Sequence, residues 1–245
     1  MEQFRLDGKR ALITGGSRGI GFGAAEAMAE AGAEVTIVAR DPEALDAAAA
    51  KIAGAKTLEL DIADVAATQA AIAQAGPFDI LVNNAGTSRP GFMVDIGPDD
   101  FDHVMNLNVR GAYFCAQAVA KGLLAAGKPG SIVNISSQLG HVGSARRTIY
   151  CTSKFAVEGM TKAIAVELAP QGIRANTVCP TYIETDLTRP TLTNPEHLSD
   201  ILARIPMGRI GEVNDVTGAI LFLASDAAAL ITGASLTVDG GWTAV

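Results

Sequence analysis

Short apolar runs alternate with longer alanine-rich stretches along most of the chain. Residues 11–14 (Ala-Leu-Ile-Thr) form one such run, of the length expected for a strand buried in a sheet. Similar runs recur at 35–39, 57–60, 79–83, 131–135, 174–178 and 235–238, which predicts about seven strands. The intervening stretches read as helices: 19–31, a segment opening at Asp41-Pro42, 64–74, a longer one following Asp99 towards Ala126, and one carrying Tyr150 and Lys154 and ending near Pro170. Pro42 falls in a first turn, where its missing N–H costs little. Strand–helix alternation of this kind predicts a parallel sheet covered on both faces. The expected class is therefore α/β, a single-domain, doubly wound, Rossmann-like sheet over residues 1–245, with no composition break to mark a linker.

Residues 181–213 interrupt the alternation with Pro190, Pro195 and Pro206 and a short predicted helix over 195–204. They follow the sixth strand, at the carboxyl edge where open α/β sheets hold ligands. Either a substrate wall or lid, or an ordinary surface insertion, fits that placement.

Apolar residues make up 49% of the chain and aromatics only 5%, so the core is expected to be aliphatic and alanine-based. The net charge of -7 argues against nucleic acid or an anionic membrane as the main partner. Three cysteines, Cys115, Cys151 and Cys179, lack paired spacing. That favours a reducing, cytoplasmic location over a disulfide framework. The first residues are charged with no apolar run, so no signal peptide is expected, and no membrane span is expected.

Between the first strand and the first helix lies Thr14-Gly15-Gly16-Ser17-Arg18-Gly19-Ile20-Gly21. Glycines here allow a tight turn and close approach of backbone to phosphate oxygens, and the helix N-terminus favours the negative charge. A second match, Gly-x-Gly-x-x-Ala at 19–24, starts too late and lies inside the helix. The useful spacing is Gly15, Gly19, Gly21; small residues for helix capping and packing are the alternative. The second strand ends at Ala39-Arg40, where an acidic residue would bind an adenosine ribose. An arginine there suits a 2′-phosphate by charge and fork geometry, and Arg18 offers a second cation. NADP(H) is thus expected over NAD(H), unless both arginines are plain surface residues.

Tyr150 and Lys154 are four apart, which puts a phenol and an ammonium on one helix face. A free tyrosine titrates near ~10. A neighbouring cation favours the phenolate and moves the group towards the range a general acid/base needs. His103, His141 and His197 show no metal-ligand spacing, so no metal site is expected. His141 could line a substrate pocket or be a plain loop residue. Arg146-Arg147 could meet a substrate anion, solvent or a subunit interface. Cys151 is expected to pack.

Taken in order, the turn at 14–21, Asp61, Asn83-Asn84-Ala85-Gly86, Asn108, Ser137 and Tyr150 with Lys154 resemble the short-chain dehydrogenase/reductase family over essentially the whole chain. The resemblance implies a cofactor site of Gly15, Ser17, Arg18, Gly19, Ile20, Arg40, Asp61, Ile62, Asn84, Ala85 and Gly86, with Tyr150, Lys154, Pro180, Ile183 and Thr185 towards the nicotinamide. Asp61 and Ile62 would contact adenine, and Asn83 to Gly86 would bracket the adenosine ribose. It further implies that Tyr150 moves the proton and that Lys154 lowers its pKa and holds the nicotinamide ribose. Ser137 would donate to the substrate oxygen, and Asn108 would hold a water leading from Lys154. Thr181 stands where the family usually has glycine. A homotetramer is implied as well.

The expected activity is NADP(H)-dependent interconversion of a secondary alcohol and a ketone on a small polar substrate such as a sugar, polyol or sugar acid. The alternatives are 3-oxoacyl-acyl-carrier-protein reduction, with Lys128 as one docking cation and Gln171 at the other position, and a non-catalytic nucleotide sensor.

Overall fold

The computed structural model describes residues 2–244. Seven parallel strands form one sheet: β1 (Arg10–Thr14), β2 (Glu34–Ala39), β3 (Lys56–Glu59), β4 (Ile80–Asn83), β5 (Gly130–Ile135), β6 (Ile173–Pro180) and β7 (Ser235–Val238). Their order is β3-β2-β1-β4-β5-β6-β7. The order reverses between β1 and β4, and such a switch point opens a ligand crevice beyond the strands' carboxyl ends.

Alternation along each strand divides the apolar side chains between two cores. Ala11, Ile13, Val35, Ile37, Val82 and Val133 face Ala24, Ala25 and Met28 of α1 (Gly19–Glu30), Leu45 of α2 (Pro42–Ala49) and Ile220 of α9 (Val213–Ala224). Leu12, Leu81 and Ile132 face Ile72 of α3 (Val65–Ala75), Val119 and Leu123 of α5 (Ala112–Ala126) and Ala165 of α6 (Thr148–Leu168). α9, absent from the sequence expectations, is opened by Asp215, which accepts from the Glu212 N–H at 2.8 Å and pairs with Arg209.

The helix expected from Asp99 to Ala126 is not uniform. α4 (Pro98–Met105) passes through a π-helical turn, Asn106–Gly111, into α5. Gly111 lets this turn pack closely on the segment after β3, since a Cβ there would come within 2.9 Å of the Ile62 carbonyl oxygen. Residues 181–213 hold α7 (Arg189–Leu192) and α8 (Pro195–Leu202), the latter two residues shorter than expected. Beneath the carboxyl edge, a buried polar chain ties the sheet to its helices. Asn83 Nδ2 donates to Asn134 Oδ1 at 2.9 Å and to the Ala112 carbonyl at 2.9 Å, while Asn134 Nδ2 donates to Thr161 Oγ1 at 2.8 Å.

Candidate active site

The glycine turn after β1 is held open by β4. Asn84 Nδ2 donates to the carbonyls of Thr14 and Gly15 at 3.0 and 3.1 Å, and Thr14 Oγ1 accepts from the Asn84 and Ala85 N–H groups. Gly15 sits at φ +65°, where a side chain is strained. A Cβ on Gly21 would collide with the Gly15 carbonyl and the Asn84 amide. α1 starts after Arg18, whose side chain makes no capping hydrogen bond. Its first N–H groups therefore have no side-chain cap, at a helix terminus whose dipole favours an anion.

The cleft at the switch point is lined by Gly15, Ser17, Arg18, Gly19, Ile20, Arg40, Asp61, Ile62, Asn84, Ala85, Gly86 and Thr185. Val38, Ala44, Leu60, Leu107, Asp186 and Leu187 also line it and were not anticipated; most are aliphatic residues of a strand end, a helix or a loop, with no chemical signature of their own. Arg40 Nη1 lies 3.5 Å from Asp61 Oδ2, with both side chains well exposed. A guanidinium thus stands at the cleft wall, countered by a carboxylate. Ile62 is buried against Gly111, so it offers the cleft little beyond its backbone.

Pro180 and Ile183 lie apart from this lining. Ile183 is buried in the α1–α9 core and bridges to Gly211, and its carbonyl accepts from Thr188 Oγ1. Thr181 keeps the sheet bond of its N–H to the Val238 carbonyl at 3.2 Å. Its side chain lines a separate hollow with Met207, Arg209 and Asp239, and its buried Oγ1 has no partner.

Four further residues stand at the carboxyl edge of β4–β6. Lys154 Nζ is buried, donates to the Ile135 carbonyl at 2.8 Å and lies 5.5 Å from the Tyr150 ring centroid. Burial pushes the Lys154 ammonium down to about 8, against the pull of Cys179 and Glu158. Burial likewise pushes the Tyr150 phenol up to about 12, opposed by a Ser137 hydrogen bond and the Arg147 charge. Lys154 is not among the groups that lower the phenol in this structure, and one dry site disfavours phenolate and ammonium alike.

Ser137 Oγ donates to Gln138 Oε1 at 2.7 Å and accepts from the Leu139 N–H. Asn108, in the π-turn, makes three hydrogen bonds through its side-chain amide. Its Oδ1 accepts from the Thr87 N–H at 2.8 Å, and Nδ2 donates to the Thr87 carbonyl and to Ser153 Oγ. Ser153 Oγ in turn donates to the Tyr150 carbonyl at 2.7 Å. Asn108 therefore clamps the loop after β4 to the helix that carries Tyr150. π-turns of this kind recur at functional sites. Arg147, left open between substrate, solvent and interface, donates to Ser88 Oγ at 3.0 Å and acts electrostatically on Tyr150.

Among known proteins, the family profile described as Enoyl-(Acyl carrier protein) reductase matches residues 15–243. The chain belongs to the short-chain dehydrogenase/reductase family. L-xylulose reductase of Bos taurus is 40% identical over 240 residues, covering 98% of both chains. D-threitol dehydrogenase of Mycolicibacterium smegmatis is 41% identical, covering 98% of this chain and 95% of the relative. The crystal structure of a gluconate 5-dehydrogenase from Burkholderia cenocepacia, in complex with NADP and tartrate, superposes with a TM-score of 0.95 at 38% identity, covering 100% of this chain and 98% of that one. Among the described residues, no helix is long and apolar enough to cross a membrane.

Proposed function

We propose that this short-chain dehydrogenase/reductase is an NADP(H)-dependent oxidoreductase that interconverts a secondary alcohol and a ketone on a small sugar, polyol or sugar acid. The observation that carries the reading is the placement of Tyr150, Lys154 and Ser137 at the same sheet edge as an uncapped helix N-terminus and the Arg40 guanidinium. Relatives named for xylulose, threitol and gluconate support the substrate class. The cleft fits the cofactor: a glycine turn without room for side chains, helix N–H groups for a pyrophosphate, and Arg18 and Arg40 for a 2′-phosphate.

When bound, NADP(H) supplies or accepts the hydride. Tyr150 gives its phenolic proton to the substrate oxygen during reduction and takes one back during oxidation. Ser137 donates a hydrogen bond to that oxygen as its charge develops. Lys154, fixed by the Ile135 carbonyl, stabilises the phenolate that forms and would hold the nicotinamide ribose when the cofactor is bound. Asn108 is a positioning residue that acts through Thr87 and Ser153. Pro180 and Ile183, although outside the cleft lining, would hold the nicotinamide end of the cofactor through backbone groups, together with Thr185 of that lining. Residues 181–213, within one domain, wall the substrate side. A cytoplasmic homotetramer completes the reading, supported by three unpaired cysteines and by exposed Phe155 and Val166 on α6.

Carrier-protein reduction is the weaker reading because Gln171 stands where a second docking cation would be needed, and Lys128, half-exposed and 3.7 Å from Asp79, would supply only one. The test is NADPH oxidation across a panel of ketoses, keto-sugar acids and 3-oxoacyl thioesters. Turnover confined to the sugar-type ketones is expected. Turnover confined to the thioesters would overturn the substrate class, and NADPH binding without turnover of any member would overturn the enzyme reading.

A further inference from the structure

On the side of α6 that carries Lys154, three side chains distant in sequence converge. His141 comes from the loop after β5, Glu158 from α6 one turn beyond Lys154, and Cys179 from the end of β6. His141 Nε2 and Cys179 Sγ are 3.4 Å apart, Cys179 Sγ and Glu158 Oε1 are 3.3 Å apart, and His141 Nε2 and Glu158 Oε1 are 3.8 Å apart. A point equidistant from all three atoms lies about 2.0 Å from each, close to the ~2.0–2.3 Å of zinc bonds to nitrogen, oxygen and sulfur. The triangle has nearly the size of one face of a tetrahedral zinc site.

Two further observations point to a ligand. The second carboxylate oxygen, Oε2, is already held by Thr177 Oγ1 at 3.0 Å and by Ser235 Oγ. Oε1 is left facing the thiol and the imidazole, and ligating carboxylates are fixed by hydrogen bonds in this way. Ser136 Oγ, in a residue only 3% exposed, has no hydrogen-bond partner. It lies beside this group, since a Cβ on Gly140 would meet Ser136 Oγ at 2.8 Å and Glu158 Cγ at 3.2 Å. A buried hydroxyl left unpaired is costly. The His141 side chain is 31% exposed, which gives an ion a path inward.

We propose that His141, Glu158 and Cys179 bind a divalent transition cation, Zn²⁺ by preference, with Ser136 Oγ or a water in the fourth position. One sulfur, one nitrogen and one oxygen donor suit zinc rather than Mg²⁺ or Ca²⁺. Binding releases the Cys179 thiol proton to solvent, because the coordinating sulfur is a thiolate. A dication here neutralises Glu158 and opposes the Lys154 ammonium, so occupancy slows turnover. That consequence rests on the proposed function; the binding itself does not.

The experiment is a Co²⁺ titration of the full chain followed by absorption, with Zn²⁺ as competitor. One equivalent per chain is expected to give a thiolate-to-cobalt band that Zn²⁺ removes. The band should vanish in Cys179→Ser and persist in Cys151→Ser. His141→Ala should weaken Co²⁺ binding tenfold or more while keeping basal turnover, and it decides the matter if Cys179→Ser fails to fold. No thiolate band in the wild type, or undiminished binding in His141→Ala, would overturn the site and leave a hydrogen-bonded triad only. Co²⁺ bound as expected but without Zn²⁺ inhibition would keep the site and sink the link to Lys154.

Discussion

The two ends of the crevice are built on different principles. The nucleotide end is made of backbone and exposed charge: a glycine turn, an open helix terminus and the Arg40–Asp61 pair at 3.5 Å. The Tyr150 end is made of buried side chains locked to one another, with Lys154 on the Ile135 carbonyl and Asn108 on Thr87 and Ser153. An exposed ion pair contributes little to stability, whereas a buried polar group that loses its partner is expensive. Substitutions at the nucleotide end should therefore change what binds, and those at the Tyr150 end should change whether the site works and how well it holds.

The sharpest test of that contrast is Tyr150→Phe. Turnover should fall by about 10²-fold or more, the scale of a general acid/base contribution, with NADPH affinity kept. Near-normal kcat in a steady-state assay would remove Tyr150 from its role and blur the division.

The Lys154 ammonium gives a pH test. Its pKa is pushed down from 10.5 to about 8 by burial, so between those values the unfolded chain binds more protons. The burial penalty is full below about pH 8 and is relieved as pH rises towards the unfolded value, so Lys154 makes the fold relatively more stable over that window. The total is on the order of 3 kcal/mol. Urea unfolding of wild type and Lys154→Met at pH values across the window isolates this contribution, because the other titrating groups are common to both chains. A wild-type advantage that grows with pH is expected; a flat difference would mean that Lys154 titrates as an ordinary lysine.

Asn108→Ala leaves the Thr87 N–H without its acceptor. A loss of about 1–3 kcal/mol in urea-unfolding free energy is expected, along with reduced kcat and unchanged NADPH affinity. An unaltered unfolding midpoint would show that the clamp does not hold the loop to α6.

The smallest structural effect belongs to Arg40→Ala. NADPH should bind about tenfold or more weakly, a loss of at least ~1.4 kcal/mol, while NADH affinity and the unfolding midpoint barely move. Equal losses for both cofactors in a fluorescence titration would dismiss the 2′-phosphate contact.

Much of the nucleotide end was legible from the residues. The glycine spacing, Arg40 at a strand end and Asn84 after the fourth strand all line one cleft, because each sits directly after a strand whose carboxyl end faces it. For Ile183 the sequence did not separate side chain from backbone: its side chain turns into the core and only its backbone stays near the edge. The balance of Tyr150 was also hidden. Spacing announces the neighbouring cation, but the depth of burial that raises the phenol, and the charge of Arg147 that lowers it, depend on what packs around the helix.

From its sequence, the chain determined its seven strands and most of its helices, its glycine turn and the shared face of Tyr150 and Lys154, because these follow from periodicities of two and 3.6 residues and from local turn chemistry. Only the folded sheet decided that Asn108 would grip Thr87 and Ser153, that Arg40 would meet Asp61, and that His141, Glu158 and Cys179 would converge. Those meetings join residues from separate elements, whose distances are set by strand order and helix packing rather than by any spacing along the chain.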